Sequence, residues 1–242
     1  TMPDPTPRHV LVTGANRGIG LELVRQLLAR GDRVMATCRQ PGKATALNTL
    51  SGEYPGRLHV LPLDVADARS REALARELPL AGGDASEPLR LDLLINNAGV
   101  LHTGERFGQL ADANFDDSFR INASGPLLLT QALAPQLADG ATVANLSSIL
   151  GSIASTERFG TPGYNLSKAA QNMATRLLAD ALGGRGIRVV ALHPGWVQTE
   201  MGGDGAQIAP AESVTGLLRV LDGLQAADSG AFLDWQGQPV PW

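Results

Sequence analysis

The sequence of 242 residues has little cysteine, few aromatic residues and no excess of basic charge. Cys38 is the only cysteine, which excludes an internal disulfide and a cysteine-based zinc site. With 20 Lys and Arg against 24 Asp and Glu, the net charge of −4 gives no basic footprint for nucleic acid. No stretch is apolar enough to span a membrane, and residues 1–7 lack the pattern of a secretion signal. We therefore expect a soluble cytoplasmic protein with no nucleic-acid or membrane partner.

The composition otherwise fits one large domain. Hydrophobic residues make up 43% of the chain, which is enough for a sizeable core. Residues 1–7 are rich in proline and are predicted to form a flexible tail, whereas residues 8–242 show no linker or repeat and are predicted to form one domain. A metal site needs its ligands to converge, and we interpret the scattered histidines as structural: His9, His59, His102 and His193.

Strand-like apolar runs alternate with helix-like stretches along the chain. The predicted strands are His9–Thr13, Asp32–Cys38, Leu58–Leu63, Leu91–Ile95, Ala141–Leu146, Arg188–Leu192 and Ala231–Leu233. The predicted helices are Leu21–Arg30, one starting near Ala66, Phe115–Leu137, Tyr164–Leu182 and Glu212–Leu224, with a surface loop at Pro79–Arg90. This alternation predicts an α/β protein with a Rossmann-type doubly wound fold, a seven-stranded parallel sheet carrying helices on both faces.

A glycine-rich turn follows the first predicted strand. Gly14, Gly18 and Gly20 stand between that strand and the helical stretch Leu21–Arg30. Glycines allow backbone amides and a helix N-terminus to approach a pyrophosphate closely, so the turn predicts nucleotide binding. Its spacing, Gly-x-x-x-Gly-x-Gly, differs from the usual dinucleotide fingerprint. The alternative is a tight connection with no ligand.

Two arginines indicate which dinucleotide binds. Folds that bind NAD commonly place an acid near the end of the second strand, where it accepts the ribose 2′-hydroxyl. Here Cys38 is followed by Arg39, and Arg17 lies in the glycine turn. Because guanidinium groups bind phosphate through paired charged hydrogen bonds, we predict NADPH or NADP in preference to NADH. The alternative is two ordinary surface arginines.

Polar residues and glycines follow most of the predicted strands. In parallel sheets of this kind, ligands bind outside the carboxyl ends of the strands. One edge should therefore collect the glycine turn, Arg39, Asp64, Asn96–Gly99, Ser147–Ser148 and Pro194–Gly195. Asp64 has two interpretations that are compatible, a contact with an adenine edge and a cap for the next helix.

Tyr164 and Lys168 stand four residues apart on a predicted helix, so they share one face. A phenol has a pKa near 10, and a neighbouring ammonium lowers that pKa. The pair therefore suits reversible proton transfer to a carbonyl oxygen. For the pair taken alone, an exposed aromatic residue beside an exposed lysine is the competing interpretation.

These motifs resemble those of the short-chain dehydrogenase/reductase family over nearly the whole chain. Six short motifs occur in the family's order: Thr13-Gly14-x-x-x-Gly18-Ile19-Gly20, Asn96-Asn97-Ala98-Gly99, Asn122-Ala123-Ser124-Gly125, Ser147-Ser148, Tyr164-x-x-x-Lys168 and Pro194-Gly195-x-Val197-x-Thr199. The segment from His193 to Gly203 and the closing Pro241-Trp242 resemble the C-factor/carbonyl-reductase-like branch.

The resemblance implies four catalytic residues. Tyr164 would be the proton donor and acceptor, and Lys168 would bind the nicotinamide ribose and depress the pKa of Tyr164. Ser148, rather than Ser147, matches the position that holds the substrate oxygen. Asn122 would position a water molecule that links Lys168 to solvent.

The resemblance also implies a cofactor site. In the family, Asp64 and Val65 would line the adenine, Asn97–Gly99 the floor of the site, and Val197 with Thr199 would hold the carboxamide. The full predicted set is Gly14, Asn16, Arg17, Gly18, Ile19, Gly20, Arg39, Asp64, Val65, Asn97, Ala98, Gly99, Tyr164, Lys168, Pro194, Gly195, Val197 and Thr199.

The substrate is predicted from the apolar residues near these motifs. Their apolar character predicts a small hydrophobic aldehyde or ketone as substrate. The alternative for each residue is a purely structural place in the hydrophobic core. The residues are Val100, Leu101, Ile149, Phe159, Trp196 and Met201. No basic cluster follows Thr199, which disfavours an acyl carrier protein, and the Tyr-to-Lys spacing disfavours reduction of a C=C bond. The segment between Ser148 and Tyr164 is a few residues longer than in many family members, which leaves the pocket shape open.

The sequence thus predicts an NADPH-dependent carbonyl reductase. Two alternatives are an NAD(P)-dependent alcohol dehydrogenase working in the oxidative direction and a cofactor-binding sensor with vestigial chemistry; the complete catalytic set argues against the sensor. The helix Tyr164–Leu182 is apolar on more than one stripe. It therefore predicts a homodimer or homotetramer formed through this helix, unless neighbouring helices of the same chain cover the second stripe.

Overall fold

One parallel sheet organises the computed structural model, which describes residues 6–82 and 86–242. The strands are β1 His9–Val12, β2 Arg33–Cys38, β3 Leu58–Pro62, β4 Leu91–Asn96, β5 Leu137–Leu146, β6 Arg188–His193 and β7 Phe232–Asp234. They lie in the order β3-β2-β1-β4-β5-β6-β7, and every neighbouring pair is parallel. The predicted seven-stranded, doubly wound fold is confirmed.

Helices cover both faces of the sheet. They are α1 Gly18–Ala29, α2 Thr45–Glu53, α3 Ala68–Glu77, α4 Asp112–Phe119, α5 Gly125–Leu133, α6 Pro162–Gly183 and α7 Pro210–Gly223. Along β1, Val10 and Val12 pack in the core layer that contains α1 and α7, whereas Leu11 packs in the layer that contains α3, α5 and α6. Successive side chains of a strand point to opposite faces, so a strand covered on both sides is apolar throughout.

The predicted helix Phe115–Leu137 is wrong as a single element. Helix α4 ends at Phe119, a π turn follows at Arg120–Ser124, α5 ends at Leu133, and Leu137 already belongs to β5. Pro126 has no N–H and cannot donate to the carbonyl four residues earlier, which breaks the α-helical pattern at this point. The wider π turn accommodates the break.

Other boundaries also differ from the prediction. Helix α1 begins at Gly18 rather than at Leu21, and α2, which buries only Leu47 and Leu50, was not predicted. At the predicted loop Pro79–Arg90, a 3-10 turn spans Leu78–Gly82, and Leu89 is buried. Residues 1–5 of the predicted tail and residues 83–85 of that loop lie outside the described residues.

Membrane-spanning helices and metal-ligand clusters are both missing from the part of the chain that the structure describes. Across residues 6–82 and 86–242, no helix combines the length and the apolar character that crossing a bilayer requires. In the same part of the chain, no three His, Cys, Asp or Glu side chains converge as metal ligands would.

Candidate active site

The carboxyl end of β1 is fastened to the carboxyl end of β4. The Thr13 hydroxyl accepts hydrogen bonds from the backbone N–H groups of Asn97 and Ala98, both at 3.0 Å. In return, the Asn97 side-chain amide donates to the carbonyl oxygens of Thr13 and Gly14, both at 3.1 Å. Asn97 therefore acts on the site by fixing the shape of the glycine turn.

The glycine turn is too tight for side chains. A Cβ on Gly20 would lie 2.2 Å from the Gly14 carbonyl oxygen, and one on Gly14 would lie 2.8 Å from the Cα of Ala98. Gly14 and Gly18 also have φ of +60° and +56°, a conformation that favours glycine. The turn leads directly into α1, whose N-cap Arg17 makes no side-chain capping hydrogen bond. Unpaired amides at a helix N-terminus attract anionic groups.

The two predicted phosphate-binding arginines lie at neighbouring strand ends and are exposed. Arg17 lies between β1 and α1, and Arg39 directly follows β2. Strands β1 and β2 are paired neighbours in the sheet. The guanidinium of Arg17 forms an ion pair of 2.8 Å with Glu200, on the segment after β6. Sequence reasoning missed Glu200, because nothing near it in the chain signals a partner in the glycine turn.

Asp64 does not cap the next helix. Its carboxylate accepts a hydrogen bond from the backbone N–H of Ala66 at 3.0 Å, within the turn after β3. Helix α3 begins at Ala68, and its cap is Asp67, which accepts from the backbone N–H of Arg69 at 3.0 Å. The capping prediction for Asp64 is therefore wrong, and its carboxylate is exposed beside the buried Val65.

The segment after β6 returns to the glycine turn. Gly195 has φ of +85°, and a Cβ there would lie 2.3 Å from the Cδ1 of Ile208. The Pro194 carbonyl oxygen accepts a hydrogen bond of 2.6 Å from the hydroxyl of Ser213 on α7. A Cβ built on Gly18 would meet the Cγ2 of Thr199 at 3.6 Å, so this segment reaches the same edge of the sheet.

Helix α6 carries Tyr164 and Lys168 in its first two turns, and both side chains are buried. The Lys168 ammonium lies 5.6 Å from the centroid of the Tyr164 ring. It donates hydrogen bonds to the carbonyl oxygen of Leu146 at 2.7 Å and to the side-chain oxygen of Gln171 at 3.0 Å. These bonds hold Lys168 between α6 and the end of β5.

The two adjacent serines after β5 point in different directions. The side chain of Ser148 lies within hydrogen-bonding reach of the Tyr164 hydroxyl, and its oxygen also accepts from the backbone N–H of Leu150 at 3.1 Å. The Ser147 hydroxyl donates to the side-chain oxygen of Asn172 at 2.6 Å, within the core. The structure therefore brings Ser148, and not Ser147, to the tyrosine.

Burial dominates the protonation of the tyrosine–lysine pair. It raises the pKa of Tyr164 to about 12, and the hydrogen bond with Ser148 lowers that pKa by less. Burial also lowers the pKa of Lys168 to about 7. Lys168 is not among the causes of the shift in the pKa of Tyr164, so its predicted depression of that pKa stays a prediction. At neutral pH the tyrosine is a phenol and can donate a proton.

Asn122 lies on the π turn and is fully buried. Its side chain accepts from the backbone N–H of Val100 at 2.8 Å and donates to the Val100 carbonyl oxygen at 2.9 Å and to the Ser167 hydroxyl at 3.0 Å. A Cβ built on Gly99 would lie 3.3 Å from the Asn122 side-chain oxygen and 3.8 Å from the Lys168 nitrogen. Asn122 and Lys168 thus flank Gly99. The position of Asn122 on a π turn is typical of a functional site, since such turns are frequent there.

The predicted substrate-pocket residues lie on surface segments at this edge. Ile149, Phe159, Trp196 and Met201 are 36, 56, 55 and 46% exposed, so plain core is excluded for these four, and Val100 and Leu101 are half-buried. Sequence reasoning missed Phe107, whose ring meets that of Phe159 edge to face at 5.8 Å between centroids. No motif marks Phe107, because its partner belongs to a distant segment.

The longer segment between Ser148 and Tyr164 is held at several points. The backbone N–H of Ile149 donates to Nδ1 of His193 at 3.0 Å, and that of Ala154 donates to the carbonyl oxygen of Trp242 at 2.8 Å. Burial lowers the pKa of His193 to about 4, and the nearby Asp234 raises it by less. A neutral imidazole can therefore keep accepting from Ile149 at neutral pH.

A phosphate-binding turn and a buried phenol beside a lysine, at one edge of a doubly wound sheet, define a nucleotide-binding oxidoreductase. The chain belongs to the short chain dehydrogenase family, whose model matches residues 8–207. The predicted family is thereby confirmed.

Three similar proteins illustrate the range of the family. C-signal of Myxococcus xanthus is 47% identical over 154 residues, which cover 63% of this chain and 93% of that protein. The NADPH-bound carbonyl reductase from chicken fatty liver is 39% identical with a TM-score of 0.90, over 98% of this chain and 100% of that one. The carbonyl reductase Sniffer of D. melanogaster is 30% identical with a TM-score of 0.92, over the same shares, 98% and 100%.

Proposed function

We propose that the protein is an NADPH-dependent reductase that converts a small hydrophobic aldehyde or ketone into an alcohol. The observation that carries this proposal is the Tyr164 phenol, buried with a pKa of about 12 and within reach of Ser148. The similarity to carbonyl reductases, one of them bound to NADPH, supports the same reaction and cofactor.

The residues at the edge of the sheet fit a dinucleotide phosphate. Close backbone contacts that admit no Cβ on Gly14 or Gly20 shape the glycine turn, and the turn presents the N-terminus of α1, where a pyrophosphate would bind. Arg17 and Arg39 are exposed cations beside it and would bind the 2′-phosphate. Asp64 and Val65 would line the adenine, and Lys168, Val197 and Thr199 would hold the nicotinamide end.

The cofactor supplies the hydride, and the protein orients and polarises the carbonyl group. Tyr164 and Ser148 both donate hydrogen bonds to the carbonyl oxygen, and Tyr164 gives up its proton as the oxygen becomes an alkoxide. Lys168, with a pKa of about 7, exchanges its own proton at neutral pH. Asn122, across Gly99 from Lys168, positions the water molecule through which protons return from solvent.

At neutral pH Tyr164 is a phenol, which is the form that can donate a proton to a carbonyl oxygen. The reverse reaction, oxidation of an alcohol, instead needs a phenolate that accepts the proton of the alcohol. The exposed apolar residues Ile149, Phe159, Trp196 and Met201 suit a hydrophobic substrate.

The second apolar stripe of α6 supports self-association. Leu166, Met173 and Leu177 are 50, 61 and 60% exposed, whereas Ala174 and Leu178 pack within the chain at 7 and 8%. The neighbouring helices of the same chain therefore leave the outer stripe uncovered. We infer that it pairs with a second copy of the chain in a homodimer or homotetramer.

A turnover screen tests the proposed function. Purified protein is assayed with a panel of aldehydes, ketones and alcohols, using NADPH, NADH and their oxidised forms. We expect carbonyl reduction with a clear preference for NADPH. Tight binding of NADPH without turnover of any compound would favour the sensor, and turnover of alcohols alone would favour the dehydrogenase.

A further inference from the structure

A buried carboxylate lies against the first turn of the helix that carries Tyr164. Glu105, on the loop after β4, is only 8% exposed, and glutamates are rarely buried unless they are paired. Its Oε1 accepts a hydrogen bond from the backbone N–H of Gly163 at 3.2 Å. Gly163 directly precedes Tyr164, so Glu105 contacts the backbone that places the phenol.

This end of α6 has no cap from its own segment. The N-cap Thr161 makes no side-chain capping hydrogen bond, and its hydroxyl donates instead to the side chain of Asn165 at 2.9 Å. Pro162 has no N–H, which makes the Gly163 amide the first donor of the helix. An acceptor with negative charge is favoured at a helix N-terminus. Glu105 supplies this acceptor from a different part of the chain.

Glycine at position 163 gives the carboxylate its space. A Cβ there would lie 3.0 and 3.1 Å from the two carboxylate oxygens and 3.1 Å from the Ser118 hydroxyl. Within the described part of the chain, the buried Oε2 of Glu105 and the Ser118 hydroxyl have no hydrogen-bond partner. The Gly163 amide is therefore the contact that orients the carboxylate.

The loop that carries Glu105 is itself held on both sides of this residue. Before it, Val100 is bound by Asn122 through both its backbone N–H and its carbonyl oxygen, at 2.8 and 2.9 Å. After it, Phe107 packs edge to face on Phe159. The Asn122 bonds fix the loop ahead of Glu105, so the Gly163 contact can restrain the first turn of α6 as well as the loop.

We propose that Glu105 is a positioning residue: its carboxylate fixes the first turn of α6 and thereby keeps the Tyr164 hydroxyl against Ser148. The inference rests on the proposed function for its consequence in catalysis, whereas the placement of Tyr164 can be measured without turnover. Displacement of a reacting group by about 1 Å can cost on the order of 100-fold in rate. Because Glu105 acts through Tyr164 and not on the glycine turn, its loss lowers kcat and leaves cofactor affinity unchanged.

Three variants separate this role from a general loss of packing. We expect Glu105→Ala to lower kcat by roughly tenfold or more, with an unchanged Kd for NADPH. Glu105→Gln keeps an oxygen acceptor at the same reach, so it retains most of the wild-type kcat. Glu157→Ala is the matched control, because Glu157 is an exposed glutamate on the segment before α6. It leaves kcat unchanged.

A spectroscopic readout decides the question without any assay of activity. The chain has two tyrosines, so Tyr54→Phe leaves Tyr164 as the only signal in a protein labelled with 13Cζ-tyrosine. In this background, Glu105→Ala should shift and broaden the NMR signal of Tyr164, whereas Glu105→Gln and Glu157→Ala should not.

An unchanged Tyr164 signal in folded Glu105→Ala overturns the proposal, whatever happens to kcat. If Glu105→Ala does not fold, Gly163→Ala replaces it, because its Cβ displaces the carboxylate, and an unchanged signal in that variant overturns the proposal equally. A wild-type protein that turns over no substrate would count against the proposed function, and the Tyr164 signal would still decide the role of Glu105.

Discussion

At the scale of single residues, the site is defined by which side chains are buried together. Tyr164 and Lys168 are predicted from their spacing in the sequence, but the rise in the pKa of Tyr164 to about 12 is not. Spacing places two groups on one helix face, whereas a pKa depends on every atom packed around them. The contact between Glu105 and Gly163 was missed for the same reason, since 58 positions separate the two residues along the chain.

The two adjacent serines provide a matched pair for mutation. We expect Ser148→Ala to lower kcat by about 100-fold, because removal of one donor to a developing oxyanion costs about 100- to 1,000-fold in known cases. Ser147→Ala should keep kcat close to the wild-type value, since its hydroxyl bonds to Asn172. Steady-state kinetics of both variants check this, and equal losses would contradict the assignment of Ser148.

The buried Lys168 predicts a pH dependence of stability. Burial lowers the pKa of Lys168 from 10.5 to about 7, so between these values the unfolded chain binds a proton that the folded chain does not. The free energy of unfolding should therefore rise with pH across this range, by at most about 1.4 kcal/mol per pH unit. Lys168→Met removes this rise.

Denaturant unfolding of the wild type and Lys168→Met at pH 7 and at pH 9.5 measures the difference. Both values lie below the ordinary pKa of tyrosine, so Tyr164 contributes little in this range. Parallel pH profiles for the two proteins would show that Lys168 is charged, or exposed, in the folded state.

At the scale of the elements, the sequence predicts the ends of strands better than the breaks in helices. The glycine turn after β1 was predicted because its three glycines lie close together in the sequence, and a tight turn is the one steric reason for placing glycine at all three positions. The break between α4 and α5 was not predicted, although Pro126 lies next to it. The π turn at this break also requires Gly125 to pack against backbone that is distant in the sequence. A Cβ on Gly125 would lie 2.7 Å from the carbonyl oxygen of Val65.

The glycine turn yields a prediction for cofactor binding. Gly20→Ala places a Cβ 2.2 Å from the Gly14 carbonyl oxygen, and the turn must open to accept it. Overpacking of this kind costs about 1–3 kcal/mol of folding free energy. NADPH binding requires the closed turn and must bear a cost of this size, so we expect the Kd for NADPH to rise roughly 10- to 100-fold. Gly52→Ala, on α2 with nothing within 4 Å of the added atom, is the control. Fluorescence titration with NADPH checks both variants, and equal affinities would remove the turn from the cofactor site.

At the scale of the whole molecule, the seven-stranded parallel sheet follows from alternating patterns, and the family follows from six motifs in sequence order. Neither pattern reports what covers the outer surface of α6. The structure separates the two apolar stripes of this helix, with Leu178 inside and Met173 and Leu177 outside.

The exposed stripe predicts self-association that mutation can reverse. Met173→Lys combined with Leu177→Lys places two charges on the stripe without touching the core residues Ala174 and Leu178. We expect the wild type to run as a dimer or tetramer and this variant as a monomer with an unchanged far-UV circular dichroism spectrum. Light scattering coupled to size exclusion measures both, and a monomeric wild type would refute the pairing.

The central claim is that the buried Tyr164 hydroxyl protonates the substrate oxygen beside bound NADPH. The most direct measurement compares wild type and Tyr164→Phe in two assays, carbonyl reduction and the Kd for NADPH. The account predicts that Tyr164→Phe loses reduction while its Kd for NADPH stays near the wild-type value. Reduction that continues at the wild-type rate in Tyr164→Phe would contradict it.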